Sequence, residues 1–355
     1  MRTGVASGDR GDIGRRVLVL RRRWFAVRLD GRSVVVCAVL AAAIAGMAVL
    51  ALMTGSYSLG PGQVVSALTG GETGLVHDIV VEWRLPRVAA ALVFGAALGV
   101  SGALFQSLLR NPLADPGVIG FSQGSYTGAL MVILMVNGTY WQLVGGALVG
   151  GMATALAVYV LAYRRGVHGL RLIVVGIGVS AMLRSLNTWL ILKAELEQAM
   201  AAAAWEAGSL NGVTWNQVII GGACITVFLL PAGMLSRSMR QMELGDDAAA
   251  SHGVRISLVR VSLIVVGVAL TATVTAASGP IAFVSLVAPQ IARRLARTAG
   301  ITLVPAAFVG ALLCLGADYL AQHVAPTPLP VGIVTVVLGG GYLGWLLFSE
   351  ARRRL

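Results

Sequence analysis

The chain has 355 residues, of which 57% are hydrophobic and only 12% are charged, and its mean hydropathy is +0.83. Because soluble domains carry about 25% charged residues, this composition excludes a soluble protein and predicts an integral membrane protein. The formal net charge of +12 comes from arginines, since Lys193 is the only lysine. No basic stripe alternates with aromatic residues, so we expect no nucleic-acid partner.

The N-terminal region, residues 1–33, is an arginine-rich tail that precedes the apolar run VVVCAVLAAAIAGMAVLALM. The apolar core of a signal peptide is only about 7–15 residues long, whereas about 20 apolar residues cross a bilayer. This run, residues 34–53, therefore predicts a retained membrane span.

Apolar runs of similar length recur along the rest of the chain. We interpret them as helices, because open strands cannot satisfy their backbone groups in lipid. The sequence thus predicts an all-α integral membrane protein of about ten helices, with a more polar external surface helix at residues 194–208. The predicted spans are about 34–53, 88–108, 117–136, 141–163, 170–192, 215–235, 257–278, 279–296, 303–324 and 329–348.

The arginines predict the orientation of these spans. With ten spans, all basic residues except Arg84, Arg87, Arg184 and Lys193 fall in tails and loops on one side. Segments rich in arginine stay in the cytoplasm. The sequence therefore predicts a topology in which both termini are cytoplasmic.

The predicted organisation is one polytopic domain, residues 34–350, between the tail 1–33 and a short basic tail, 351–355. A polar stretch, LGDDAAASHGV (Leu244 to Val254), lies in a predicted cytoplasmic loop at about 237–258. Its alanines favour a short helix, and its glycines can end such a helix and allow close backbone approach. From these residues alone, the stretch is either a solvated loop or a surface that another chain contacts.

Glycines repeat at four-residue spacing in three predicted helices. Small residues at this spacing let membrane helices cross closely. We expect packing within the chain, with contact to a second copy as the alternative. The pairs are Gly95/Gly99, Gly124/Gly128 and Gly146/Gly150.

Nucleotide-binding and catalytic patterns argue against an enzyme. A phosphate-binding loop needs a lysine after glycine, and Lys193 follows leucine, so any ATP must bind to another chain. The stretch GFSQG places Ser122 in a nucleophile-like pattern, but that pattern needs a strand–turn–helix context and a histidine partner. An intramembrane hydrolase is the weaker alternative. The cysteines and histidines lack metal-ligand spacing, so we predict no metal site.

Four segments in order identify a family resemblance. They are RLPRVAAALVFGAALGVSGALFQSLLRNPLADPGVIG from Arg84, LGDDAAASHGV from Leu244, SGPIAFVSLVAPQIARRL from Ser278 and LPVGIVTVVLGG from Leu329. Together they resemble the FecCD-type permeases of ABC importers over about residues 35–350. The stretch LVAPQIARRLARTAGIT and the ending EARRR look most like ferric-enterobactin-type permeases.

This resemblance implies ten helices per subunit and two permease subunits around a central path. It also implies two ABC ATPase subunits and an extracytoplasmic siderophore-binding protein, in the bacterial cytoplasmic (inner) membrane. ATP and Mg would bind to the ATPase subunits, so this chain would hold no cofactor directly. A paralogous second permease is favoured over an identical copy.

The implied function is import of ferric-siderophore complexes, with the catecholate type favoured. Haem and cobalamin are the alternatives within the family. An ion-coupled secondary transporter is disfavoured, because such carriers usually show more acids inside their spans and Asp318 is the acid that a predicted span contains near its outer end.

The resemblance assigns ATPase coupling to the polar stretch, which would form short cytoplasmic helices in a cleft of the ATPase. An acidic first turn suits the positive end of such a helix. The predicted coupling residues are Leu244, Gly245, Asp246, Ala248, Ala249 and Gly253.

The resemblance assigns docking of the binding protein to Arg84 and Arg87, which are predicted outside, just before the second span. Arginine forks pair well with carboxylates. Interfacial anchoring of the helix is the alternative. A further outer arginine that is common in the family is Gln322 here, so docking at that end is expected to differ.

Five polar residues are predicted to line the translocation path or its inner gate. Asn111 and Asp115 belong to a proline-broken segment, for which a structural turn is the alternative. Arg184 is a charge inside a span and would face either a cavity or a structural partner. Gln290 stands where many relatives carry histidine, which argues against a protonatable role there. The predicted path residues are Gln106, Asn111, Asp115, Arg184 and Asn187.

Overall fold

A computed structural model of the chain describes residues 17–22, 25–117, 120–136, 138–163, 169–298, 300 and 302–354. Parts of the predicted tail (1–16, 23–24), of the predicted inner segment 164–171 (164–168) and Leu355 lie outside the described residues. The helices are α1 Gly31–Met53, α2 Pro61–Leu68, α3 Leu75–His77, α4 Leu85–Leu109, α5 Phe121–Val136, α6 Tyr140–Ala162, α7 Gly169–Lys193, α8 Leu196–Glu206, α9 Trp215–Glu243, α10 Asp246–Ser251, α11 Ile256–Ser278, α12 Val284–Ala296, α13 Leu303–His323 and α14 Val331–Arg354.

The predicted arginine-rich tail contains a two-stranded antiparallel hairpin, so the all-α prediction missed an element. Its strands are β1, Val17–Arg22, and β2, Phe25–Asp30. Both strands contain short apolar stretches between arginines, and the high arginine content obscured that pattern. The carboxylate of Asp30 then caps α1 by accepting a hydrogen bond from the Arg32 amide.

Seven helical segments within the described residues are long and apolar enough to cross a membrane. Two of the other predicted spans are shorter apolar helices, Phe121–Val136 and Val331–Leu346. The predicted span 279–296 begins as a helix only at Val284 and has 13 residues. At 1.5 Å per residue this helix is about 20 Å long, less than the ~30 Å of a bilayer core.

The short α12 has a local backbone cause. Gly279 and Phe283 both have positive φ values, 72° and 67°, which break the helical path between α11 and α12. Hydropathy cannot detect this break, because residues 279–283 are mostly apolar.

Three other boundaries differ from the prediction. The second span starts early: α3, a π-helical segment Asp78–Arg84 and α4 run on continuously to Leu109. Arg84 and Arg87 are therefore within this long helical segment and not in a loop before it. α9 continues to Glu243, so the start of the predicted loop 237–258 is helical, and α14 continues through the predicted basic tail to Arg354.

Two glycine-lined helix pairs organise the bundle. A methyl group added at Gly99 would overlap the carbonyl of Ala306, where α4 crosses α13. A methyl group at Gly128 would overlap the carbonyl of Gly146, where α5 crosses α6. The predicted glycine pairs thus serve packing within the chain.

The bundle has two distinct ends. One end carries Arg32, Arg293 and Arg294 and is termed the basic end. There α1 begins beside the C-terminal end of α12, and Arg32 Nε donates to the Leu295 carbonyl at 3.0 Å. At the opposite end, α9 begins beside the start of the long segment, where Trp215 Nε1 donates to the Val81 carbonyl at 2.9 Å. The α10 helix lies at the basic end and the Arg87–Asp318 pair at the opposite end.

Candidate functional site

A cavity of about 740 Å³ lies between α5, α7, α11 and the starts of α12 and α14. Its wall mixes small and apolar groups with ten polar or charged side chains. The polar and charged members are Asp115, Ser122, Gln123, Tyr126, Ser180, Arg184, Glu206, Thr271, Thr275 and Ser285. Such a wall fits a pocket in which polar groups orient a bulky ligand against apolar surface.

Arg184 provides the positive charge of this wall. Its side chain is exposed, and among the described residues no carboxylate lies within salt-bridge distance of its guanidinium. The cavity-facing interpretation of Arg184 therefore fits this geometry better than the structural pair. Glu206 and Asp115 place carboxylates in the same wall.

Asn187 lies one turn from Arg184 but does not line the cavity. It is 3% exposed, and its Nδ2 contacts the backbone carbonyl and Oε1 of Gln123 at 3.5 and 3.4 Å. Gln123 is itself a cavity residue. Asn187 Oδ1 is buried without a hydrogen-bond partner among the described residues. Asn187 thus supports the wall from behind.

Asp115 lies in the cavity wall near the basic end, where α4 gives way to the proline-broken segment. Asp115 is 6% exposed, and its carboxylate accepts a 2.5 Å hydrogen bond from Ser285 Oγ. Because Ser285 is the second residue of α12, this contact ties the segment after α4 to the start of α12.

Gln106 and Asn111 face other helices and the turn, not the cavity. Gln106 is 3% exposed, and its Nε2 donates to the Leu286 carbonyl at 2.8 Å. Asn111 Oδ1 accepts from the Leu113 amide at 2.9 Å, a local turn contact. Gln290 Nε2 donates to the Pro112 carbonyl at 2.8 Å, so it fixes the same segment.

The polar stretch forms the predicted short helix, α10, at the basic end. Gly245 precedes it with φ 121° and Gly253 follows it with φ 82°, values that glycine adopts at little cost. Ala249 is 1% exposed and faces the bundle, whereas the Leu244 side chain is 77% exposed beside the helix. This exposed leucine, two residues before the short helix, is suited to contact with another chain.

Asp246 connects α10 to two long helices. Its Oδ1 accepts from Arg110 Nη2, just after α4, and its Oδ2 accepts from Arg260 Nη2 in α11, both at 2.5 Å. Arg110 Nη2 also donates to the Met242 carbonyl at 2.6 Å. The sequence predicted Asp246 as a surface residue of the coupling loop and did not reveal these contacts.

A cleft of about 340 Å³ at the opposite end is lined by Arg84, Arg87 and Gln322, the predicted docking region. Arg87 forms a bidentate salt bridge with Asp318. Its Nε lies 2.8 Å from Oδ2, and its Nη2 lies 2.8 Å from Oδ1. Gln322 Nε2 donates to the same carboxylate at 3.2 Å.

Arg84 has neutral partners instead. Its Nη1 donates to the Leu52 carbonyl at 2.7 Å and its Nη2 to the Tyr57 carbonyl at 2.5 Å. Carbonyl oxygens satisfy hydrogen-bond donors without cancelling the charge. Arg84 thus remains a net positive group in the cleft, whereas the charge of Arg87 is offset by Asp318.

Most polar cavity residues were not predicted from the sequence, and Glu206 and Tyr126 are two examples. Glu206 ends α8, which was predicted as an external helix, and Tyr126 stacks on Trp205 of that helix with ring centroids 5.9 Å apart. The polar composition of residues 194–208 indicated a surface helix but not its contact with α5. Ser122 also lines the cavity, at the start of α5, and the described cavity wall contains no histidine.

The comparisons with known proteins agree with this architecture. The model of the FecCD transport family matches residues 40–349. The chain is 47% identical to the ferric enterobactin transport system permease protein FepG of Escherichia coli, over 92% of this chain and 100% of that protein. It is 36% identical to the iron(3+)-hydroxamate import system permease protein FhuG of Bacillus subtilis, over 84% of this chain and 92% of that protein.

A solved structure of a metal-chelate type ABC transporter in an inward-facing conformation has a similar fold. Its TM-score is 0.78 at 26% sequence identity, and the match covers 89% of this chain and 99% of that chain. The family model and both relatives cover nearly all of the helical bundle described above. The chain is therefore a multi-pass membrane protein that belongs to the FecCD transport family.

Proposed function

We propose that this chain is the transmembrane permease subunit of an ABC importer that carries ferric-siderophore complexes, of the catecholate type, into the cytoplasm. The observation that carries this proposal is the 47% identity to a ferric enterobactin permease over the full length of that protein. The cavity supports it, because its volume and its mixture of small, apolar and a few charged groups fit a bulky, charged chelate.

ATP hydrolysis on partner subunits drives the transport cycle. Two ABC ATPase subunits bind ATP and Mg, and each permease subunit presents its α10 helix to one of them at the basic, cytoplasmic end. The contact surface comprises Leu244, Gly245, Asp246, Ala248 and Gly253, whereas Ala249, also expected there from the sequence, is buried against the bundle and supports this surface from beneath. The exposed leucine and the small alanines offer a rigid apolar surface to a cleft in the ATPase.

The translocation path runs between two permease subunits and includes the cavity described above. The second subunit is a paralogue. Arg184 attracts the anionic chelate, and Asn187 holds the wall behind it by contacting Gln123. Gln106, Asn111 and Asp115 belong to the inner gate, where Gln106 and Asp115 connect the end of α4 to α12 and Asn111 holds the turn between them. ATP binding shifts the population between outward- and inward-facing states.

The binding protein docks at the cleft that contains Arg84 and Arg87, on the extracytoplasmic side. Arg84 is the stronger docking residue of the two, because neutral carbonyls leave its charge available to a carboxylate of the partner. Arg87 contributes mainly by holding the cleft together through Asp318.

Radioactive-iron uptake tests this function directly. Cells that lack this chain, with and without its restoration, are compared for uptake of ferric catecholate, ferric hydroxamate, haem and labelled cobalamin. A loss of uptake confined to ferric catecholate supports the proposal if restoring the chain recovers this uptake and ATP depletion abolishes the recovered uptake. A loss confined to haem or cobalamin moves the chain to that substrate, and uptake that follows the proton gradient would indicate a secondary transporter instead.

A further inference from the structure

The ion pair of Asp246 with Arg110, the short backbone segment 111–114 and the contact of Asp115 with Ser285 connect α10 to the cavity. The first contact joins Asp246 to Arg110, the first residue after α4. Arg110 has a φ of 48°, a left-handed conformation that residues other than glycine seldom adopt. Its side chain is held on both sides, by Asp246 and by the Met242 carbonyl. A shift of α10 must therefore act on the backbone that enters the proline-broken segment.

The same segment is fixed at its far end to α12. Gln290 holds the Pro112 carbonyl, and Ser285 holds the Asp115 carboxylate. Both Asp115 and Ser285 line the cavity. Only residues 111–114 separate the residue that contacts α10 from the residue that lines the cavity.

We infer that Asp246 and Arg110 form a mechanical link, which transmits the movement of α10 to the cavity wall at Asp115 and Ser285. This inference rests on the proposed function and adds to it the internal connection between ATPase contact and gate. Asp246 is thus a positioning residue of the permease as well as part of a contact surface. Arg260 holds the second oxygen of Asp246, so α11 moves with the same link.

The partial exposure of the pair makes the link testable. The side chains of Asp246 and Arg110 are 39% and 43% exposed, and ion pairs exposed to this degree contribute little to stability. Their removal should therefore leave the bundle folded. Asp247 provides a matched control, since it lies next in α10, is exposed and has no ion pair within the described part of the chain.

The experiment uses the complete transporter in proteoliposomes, with its second permease, ATPase subunits and binding protein. Ferric-catecholate uptake and ATP hydrolysis are measured together. We expect Asp246→Asn and Arg110→Gln each to lower uptake per ATP hydrolysed by about fivefold or more, while ATP hydrolysis continues. The double variant should lose no more than either single variant, Asp246→Glu should recover most of the uptake, and Asp247→Asn should resemble the wild type.

A second measurement follows the cavity without a siderophore. Ser122→Cys is labelled with a membrane-impermeant maleimide, with and without ATP, in a chain whose Cys37 and Cys224 are replaced by alanine; Cys314 is fully buried. We expect ATP to change the labelling rate in the otherwise unaltered chain and in Asp247→Asn, but not in Asp246→Asn.

Three results would overturn the link. In the first, Asp246→Asn keeps both the wild-type uptake per ATP and the ATP-dependent labelling. In the second, uptake and ATP hydrolysis fall in equal proportion, which assigns Asp246 to ATPase docking alone. In the third, ATP does not change the labelling rate in the otherwise unaltered chain. This result contradicts both the proposed ATP-driven function and the link. If labelling depends on ATP in the otherwise unaltered chain but not in Asp246→Asn, and ferric catecholate is not taken up, the proposed substrate is wrong and the link is supported.

Discussion

Arg87 in α4 and Asp318 in α13 form a bidentate salt bridge, although they are 231 positions apart in the sequence. Asp318 is 2% exposed, and the pair lies at one end of the seam where Gly95 and Gly99 let α4 and α13 approach closely. The two features act together, because the close approach of the backbones brings the arginine fork within reach of the carboxylate. Asp318 is therefore a structural partner of an arginine that the sequence assigned to docking.

Removing one member of this pair should destabilise the bundle. We expect Asp318→Asn to lower the free energy of unfolding by about 3 kcal/mol, because it removes a buried carboxylate and leaves the partly buried guanidinium of Arg87 without its counter-charge. The double variant Arg87→Met/Asp318→Leu should lose clearly less of the free energy of unfolding than Asp318→Asn. Thermal unfolding of the purified chain in detergent, followed by tryptophan fluorescence, measures both. Equal losses in the single and double variants would contradict an ion-pair origin.

Binding-protein docking should depend more on Arg84 than on Arg87. We expect Arg84→Glu to weaken the affinity about tenfold at low salt, equivalent to ~1.4 kcal/mol, because it reverses a charge that its carbonyl partners do not cancel. Added salt should narrow the difference from the wild type. The affinity of the purified binding protein for the reconstituted permease is the quantity to measure.

Arg255→Glu is the control for docking, since Arg255 is an exposed arginine at the basic end. It should leave the affinity unchanged. If Arg84→Glu also leaves it unchanged at low salt, Arg84 serves only to hold α1 against the long helical segment.

The comparison of sequence and structure separates local from long-range information. Long apolar runs predicted the spanning helices, and alanines between glycines predicted α10, because these signals lie within a few turns of the residues concerned. The partner of Arg87 and the position of Glu206 in the cavity depend on helices far apart in the chain. No periodicity encodes such contacts.

Local backbone geometry explains the remaining errors. The break before α12 depends on the positive φ values at Gly279 and Phe283, in a stretch as apolar as a helix would be. The candidate path was only partly predictable for a similar reason. Asp115 and Arg184 line the cavity, whereas Gln106 and Asn187 face neighbouring elements, and a polar residue in a span does not reveal which side it faces.

The glycine before α10 should be essential for coupling. Gly245 has a φ of 121°, and a side chain there would meet no neighbouring atom but would strain the backbone. We expect Gly245→Asp to reduce ferric-catecholate uptake about tenfold while ATP hydrolysis continues, because the reoriented α10 no longer transmits movement. Uptake and ATP hydrolysis in proteoliposomes measure the two effects separately.

Gly340→Ala is a suitable control for this variant, because Gly340 lies within α14, has no positive φ and has open space around it. It should transport normally. Substrate-stimulated transport at the wild-type rate in Gly245→Asp would remove α10 from the coupling mechanism.

The charge of Arg184 should determine the affinity of the path for an anionic chelate. We expect Arg184→Gln to raise the KM for ferric-catecholate uptake about tenfold, equivalent to ~1.4 kcal/mol, because it removes the positive charge of the cavity wall. Arg184→Lys should keep most of the affinity, since it keeps the charge. Glu206→Gln should act in the opposite direction and lower the KM, because it removes a negative charge from the same wall.

Lys193→Gln is the matched control, as it removes a positive charge from the end of the same helix and outside the cavity. Initial rates of uptake over a range of ferric-catecholate concentrations give the KM for each variant. A KM that stays at the wild-type value in Arg184→Gln would assign Arg184 a role unrelated to the substrate. Equal increases in Arg184→Gln and Lys193→Gln would point to the overall charge of α7 rather than to the cavity. Opposite shifts in Arg184→Gln and Glu206→Gln would show that both charges of the cavity wall act on the chelate.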